Sequence, residues 1–212
     1  MAVTVELSNK ALVTASQAEN YIHGDEATSL SDLQKDNIRL LINGVSAFFE
    51  DFTGLPLIKR EITEIRNGSG KSVYWLKAYP VDTDNDGNPV IAIYMRDYHT
   101  DVWEEIESDD YVVDTETGRV EFIESMPAAG PQRVKFVYTA GRGEQTRDEI
   151  TNELTAVDID AEWQSMALQA VYYLHQRDLA SFSRVQEGVF VAAETLPRLV
   201  VQFLKQHRRV LA

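Results

Sequence analysis

The sequence contains no cysteine. Disulfides, cysteine nucleophiles and thiolate metal sites are therefore excluded, and the chain is compatible with folding in a reducing cytoplasm. Histidine is scarce as well. His23, His99, His175 and His207 lie far apart, and none is paired at helical spacing with a second ligand, so no zinc motif forms. No apolar run approaches the roughly 20 residues that span a bilayer. The opening MAVTVELSNK lacks both the basic segment and the apolar stretch of a secretory signal. A GxSxG elbow, a GxxxxGK(S/T) phosphate loop and the kinase motif set are all missing. TAGRGEQTRDE has two glycines behind a predicted strand but no Lys-Ser/Thr, and reads as a strand-to-helix turn. These absences predict no cofactor and no catalytic set.

Positive charge is also in short supply. There are 20 Lys and Arg against 34 Asp and Glu, a net charge of −14. The deficit is concentrated. Tyr79 to Glu121 holds 13 acidic residues against Arg96 and Arg119, a net of −11, whereas Arg177 to Ala212 carries 6 basic against 3 acidic, a net of +3. An acidic middle of this kind does not bind nucleic acid by neutralising phosphates. The remaining composition, 44% hydrophobic and 25% charged over 212 residues, is that of a globular chain with a real core.

Within the acidic middle, DTDNDGNP places Asp82, Asp84 and Asp86 at alternate positions with Gly87 following, like the first half of a calcium loop. The second half departs from that pattern. The twelfth position, where a bidentate Glu belongs, is Ile93, and the flanks read as strands. The three aspartates are metal candidates, set against a hairpin tip rich in Asp, Asn and Gly.

Periodicity predicts helices at both ends and strands between. A short helix is expected around Ser16 to Ile22. In the next, Leu33, Ile38, Leu41, Ile42, Val45, Phe48, Phe49 and Phe52 share one face, Ser31 with Gln34 forms a capping box, and Gly54 with Pro56 ends it. From about 57 to 140, short β-branched and aromatic runs alternate with NGSG, DNDGN and DTETG turns, which predicts antiparallel strands. DYVVDTETGRVEF reads as a hairpin with Gly118 at a positive-φ position. Trp163, Met166, Ala167, Ala170, Val171 and Leu174 form the stripe of a further helix. DLASFSRVQEGVFVAAE has no period and reads as an arm. A last helix from about Pro197 carries Leu199, Val200, Phe203 and Leu204 on one side, with Lys205, Arg208 and Arg209 toward its C-terminus. The fold class is α+β: a small helical bundle with an inserted antiparallel β region, then a C-terminal arm and helix. The expected division is a core of 1–178, with helices in 14–53 and 160–177, and a C-terminal segment of 179–212.

One ordered series carries a family resemblance. FTGLPLI follows the second helix; VYWLKAYPV, DYVVDTETGRVEF, VKFVYTAGRG and ALQAVYYLHQRD come after it in that order. Over about residues 12–178 this series resembles the head–tail adaptor (connector) proteins of tailed bacteriophages. Two departures are a longer, more acidic segment from Asp82 to Ile106 and a weak match after Asp178.

The resemblance implies a non-enzymatic part of the virion, made in the host bacterial cytoplasm. It implies a ring, typically of twelve copies, beneath the portal protein, extending the DNA channel and offering a surface to a stopper or tail-completion protein. DNA would pass without specific binding, and no membrane is involved. Acidic residues on the channel wall would repel the DNA backbone; the candidates are Asp82, Asp84, Asp86, Glu104, Glu105 and Asp109. Leu199, Val200, Phe203, Leu204, Lys205, Arg208 and Arg209 are the portal-docking candidates; the alternative is that the same apolar stripe packs on the first helices. Alternative readings are a stopper or tail-completion protein, a calcium-dependent binding module and a virion-associated enzyme.

Overall fold

The structure is a computed structural model. It describes residues 5–24, 30–96, 102–124, 126–177 and 196–208. The chain divides into two compact units: Met1–Ile58 together with Gly143–Ala212, and Lys59–Arg142.

The first unit is helical. Thr14 caps α1 (Ala15–His23) and Ser31 caps α2 (Asp32–Thr53), each through a reciprocal capping box with a glutamine three residues on. Helix α2 ends at Gly54, whose φ of 71° is the left-handed conformation that glycine adopts at no steric cost. Ile38, Leu41, Ile42, Val45 and Phe49 are buried, whereas Leu33, expected on the same stripe, is 72% exposed. One residue into the first turn, Leu33 precedes the part of α2 that meets other elements. The buried Glu50 holds the reversal after the helix, since its carboxylate accepts the Leu57 N–H at 3.0 Å and pairs with Lys10 Nζ at 3.0 Å.

Helix α3 (Ala161–Arg177) buries Trp163, Ala167, Ala170, Val171 and Leu174, and α4 (Arg198–Gln206) buries Val200, Phe203 and Leu204, all in one core with α1 and α2. An antiparallel hairpin of β8 (Glu144–Arg147) and β9 (Leu154–Asp158) stands where a strand-to-helix turn was expected. Its strands are mostly polar, and long-range bonds hold them. Gln145 Nε2 donates to the Ala11 carbonyl at 2.8 Å, and Arg147 donates to the Leu7 and Ser8 carbonyls at 2.9 Å each.

The second unit is a sandwich of two antiparallel sheets. One is ordered β1 (Arg60–Gly68), β7 (Gly130–Ala140), β3 (Ile91–Arg96), β4 (Trp103–Glu105); the other β2 (Val73–Trp75), β6 (Arg119–Phe122), β5 (Tyr111–Asp114). Their facing sides share a core that includes Tyr74, Leu76, Ile93, Val120, Phe122 and Phe136. The β5–β6 hairpin turns at Gly118 with φ 69°. Glu64 is only 5% exposed, yet its carboxylate is fully used: it accepts the Lys77 N–H at 2.7 Å, the Tyr138 hydroxyl and the Arg66 guanidinium. A buried carboxylate is tolerable only when it is paired and hydrogen-bonded in this way.

Candidate interaction surfaces

The candidate acidic side chains fall in the second unit and do not converge. Asp82 turns aside to pair with Lys59 Nζ at 2.7 Å. The Asp84 carboxylate accepts the backbone N–H of Asp86 at 2.9 Å and of Asn88 at 2.8 Å, and the Asn88 side-chain amide at 3.2 Å. These bonds, from Asn88 first, hold its pKa below the usual carboxylate value. With Gly87 at φ 84° and Thr83 bridged to Pro89, DTDNDGNP is a closed, hydrogen-bonded turn. Among the described residues no group of three or more His, Asp or Glu side chains is placed to hold a metal ion.

The same local chemistry recurs twice. Asp114 accepts the backbone N–H of Glu116 and Thr117 in the β5–β6 turn, and Asp148 accepts those of Ile150 and Thr151 in the β8–β9 turn. Both carboxyls are held below their ordinary pKa by hydrogen bonds, from Thr117 and Thr151 respectively. All three turns therefore display an aspartate whose ionised form is favoured by hydrogen bonds within its own turn. Asp84, Asp86, Glu104, Glu105 and Asp109 are exposed, the two glutamates on edge strand β4 and Asp109 in a 3-10 turn at Ser108–Asp110. Asp82 is half-buried in its ion pair.

The C-terminal helix is divided between interior and surface. Val200, Phe203 and Leu204 are interior, and Phe203 meets the Trp163 ring edge-on at 4.7 Å between centroids. The apolar stripe of α4 is thus consumed by its own unit. Outward, α4 presents Leu199, at 56% exposure, and Lys205 together with Arg198, Gln202 and Gln206; Arg208 just beyond is also exposed, its guanidinium 5.5 Å from the Phe52 ring. Arg209 and the arm of 179–195 lie outside the described residues.

Two features escaped the sequence reading. Lys135 and Arg96 stand over Tyr94 and Trp103 on one sheet, and Ile150 at the β8–β9 tip is 95% exposed. The first follows from strand register and the second from a hairpin that polar residues disguise.

What the described residues display outward are charged, hydrogen-bonded turns and partly apolar faces. Residues 11–210 match the family model described as "Head completion protein". The chain belongs to that family, and it is a structural head–tail connector of the virion. No curated protein sequence matches it.

Among solved structures, the chain is similar to one from "Virion of native gene transfer agent (GTA) particle", at 16% identity and a TM-score of 0.60, covering 100% of this chain and 96% of that one. It is also similar to a chain of "Neck of empty GTA particle computed with C6 symmetry", at 16% identity and TM-score 0.59, covering 98% and 94%. A third is from "Neck of native GTA particle computed with C12 symmetry", at 18% identity and TM-score 0.52, covering 100% and 97%. At these identities the likeness establishes a common fold over the whole chain.

Proposed function

We propose that the protein forms a ring below the portal, joins the head to the tail and extends the channel through which DNA leaves. The observation that carries this reading is the family match over residues 11–210, joined to a fold shared with chains of necks solved under C6 and C12 symmetry. The ring we propose holds twelve copies, the number that the family resemblance implies, and the C12 symmetry of one matched neck is compatible with it. The role is mechanical, without catalysis, and the partners are the portal protein above and a stopper or tail-completion protein below.

Asp84, Asp86, Glu104, Glu105 and Asp109 are exposed on the sandwich unit. In the ring we propose, they face the channel or its mouth. A wall of fixed negative charge repels the phosphate backbone and lets DNA slide. Leu199, Lys205 and Arg208 are the part of the C-terminal helix still open to the portal; its basic residues suit an acidic partner surface.

Electron microscopy of portal rings incubated with the purified chain tests all parts together. The expected map has a coaxial ring under the portal, with residues 82–86, 104–105 and 109 toward the central hole. Portal rings left bare overturn the connector arrangement. A bound ring with those acids on its outer rim overturns the channel role alone.

A further inference from the structure

Three dipeptides in the chain carry residues that can close on themselves: Asn43-Gly44, Asn67-Gly68 and Asp86-Gly87. In each, the glycine nitrogen can reach the side-chain carbonyl carbon of the residue before it through a five-membered ring, and no β-carbon screens the attack. Closure needs a side chain free to swing toward the backbone. The fold denies this to the two asparagines. Asn43 sits inside α2 with both ends of its amide engaged: Oδ1 accepts the Ser8 N–H at 2.8 Å, and Nδ2 donates to the Glu6 carbonyl at 2.9 Å. Asn67 lies in β1, where its Oδ1 accepts the Gln132 N–H from β7 at 3.0 Å. Gly68 is hemmed in as well, since a β-carbon there would lie 1.8 Å from the Ala128 carbonyl oxygen.

Asp86-Gly87 is the opposite case. Asp84 is the carboxylate that organises this turn, accepting the N–H groups of Asp86 and Asn88. The Asp86 carboxylate is exposed and accepts no hydrogen bond from any described residue. Gly87, with φ 84°, has open space where a β-carbon would stand. Its N–H donates to the Asp84 carbonyl at 3.1 Å, longer than the 2.8–2.9 Å of the Asp84, Asp86 and Asn88 N–H groups. An exposed bond of this kind in a turn opens to water locally, without unfolding of the sandwich.

We infer that Asp86 is a site of spontaneous isomerisation in the folded protein, while Asn43 and Asn67 are held back from deamidation. The Gly87 nitrogen attacks the side-chain carboxyl carbon of Asp86 in its neutral form. A C–N bond forms, a C–O bond breaks, and the hydroxyl leaves with the N–H proton as water, giving a succinimide. Water then opens the ring at one of its two carbonyls. Opening at the side-chain carbonyl restores aspartate; opening at the backbone carbonyl gives isoaspartate. Nothing is oxidised or reduced, and water is the sole co-reactant. The product keeps its carboxylate, so the charge of the turn is unchanged. Its main chain is one atom longer between Asp84 and Asn88, the two residues whose mutual bonds close the turn.

Incubating the purified full-length chain in water enriched with heavy oxygen tests this, because each passage through a succinimide writes one heavy oxygen into the residue. Trypsin then separates the three sites into residues 40–59, 67–71 and 78–96, and mass spectrometry reads each. In the folded protein, label should enter 78–96 at least tenfold faster than either asparagine peptide, and fragmentation should place it at Asp86. Asp86→Glu keeps the charge but would need a six-membered ring, and should bring the label in that peptide down to background. In chain unfolded by guanidinium the order should reverse, because Asn-Gly is intrinsically the quicker pair to close. Absence of label at Asp86 in the folded chain overturns the inference. So does deamidation of Asn43 or Asn67 that runs as fast folded as unfolded, since the selectivity would then not come from the fold.

Discussion

Gly143 has no room for a β-carbon: one built there would lie 2.5 Å from the Asp158 carbonyl oxygen and 2.6 Å from Ile159 Cβ. Gly141, two residues earlier, has a φ of 144°, a region that side chains rarely allow. The sequence Tyr-Thr-Ala-Gly-x-Gly thus has a steric reason, one glycine for a backbone turn and the other for a close approach. Its tyrosine has an electrostatic one. Burial, and then the hydrogen bond to Glu64, hold the Tyr138 hydroxyl protonated far above the ordinary phenol range, so it remains a donor to that carboxylate at every working pH. Replacing it removes a donor to a buried charge and the acceptor for the Ala78 N–H at 3.1 Å. Tyr138→Phe should cost roughly 1–3 kcal/mol in a denaturant melt. Gly143→Ala, which presses on backbone rather than on a flexible side chain, should cost a similar 1–3 kcal/mol or so. A neutral result for either would show the strand exit to be more pliant than its geometry implies.

Helices α1, α2 and α3 and the β5–β6 hairpin were legible because their signals are local: caps, a 3.6-residue apolar period, and a polar turn that opens on Asp114 and ends in Gly118. The β8–β9 hairpin was not. Only Leu154 and Val157 of its strands are buried, and what fixes it are bonds from Gln145 and Arg147 to carbonyls more than 130 residues earlier in the chain. The division of the central strands into two sheets was equally hidden, since pairing partners such as β1 and β7 are separated by the rest of the unit. Among candidate surface residues, exposure of the acids could be read from composition. The fate of the α4 stripe could not, because an amphipathic period says that a face is covered without saying by what.

Phe203→Ala should therefore destabilise the monomer by about 3–5 kcal/mol, whereas Leu199→Ser should leave the melt unchanged and weaken portal binding. The reverse pattern would mean that the stripe faces outward in the assembly. Helices α1 and α3 also meet through His23 and His175, whose rings stand edge-to-face 5.2 Å apart. Burial and then His23 lower the His175 pKa from 6.5. The folded protein accordingly holds fewer protons here than the unfolded chain, so stability is complete above that unfolded value and declines as pH falls below it. Comparing melting temperatures at pH 7.5 and 5.5 should give a drop that shrinks in His175→Gln. An identical drop in the variant would assign the acid sensitivity to other groups.

At the scale of the whole chain, the fold is specified twice over, by a helical core and by a β-sandwich. The strongly acidic stretch lies in the sandwich and its turns, and the basic excess falls at the C-terminal end. The central claim is that this chain is the structural link between head and tail, and removing it tests that claim most directly. Particles assembled without the chain should accumulate as heads and separate, complete tails when viewed by electron microscopy, and adding the purified full-length protein to that mixture should restore joined particles. Normally tailed particles in the absence of the chain would contradict the account.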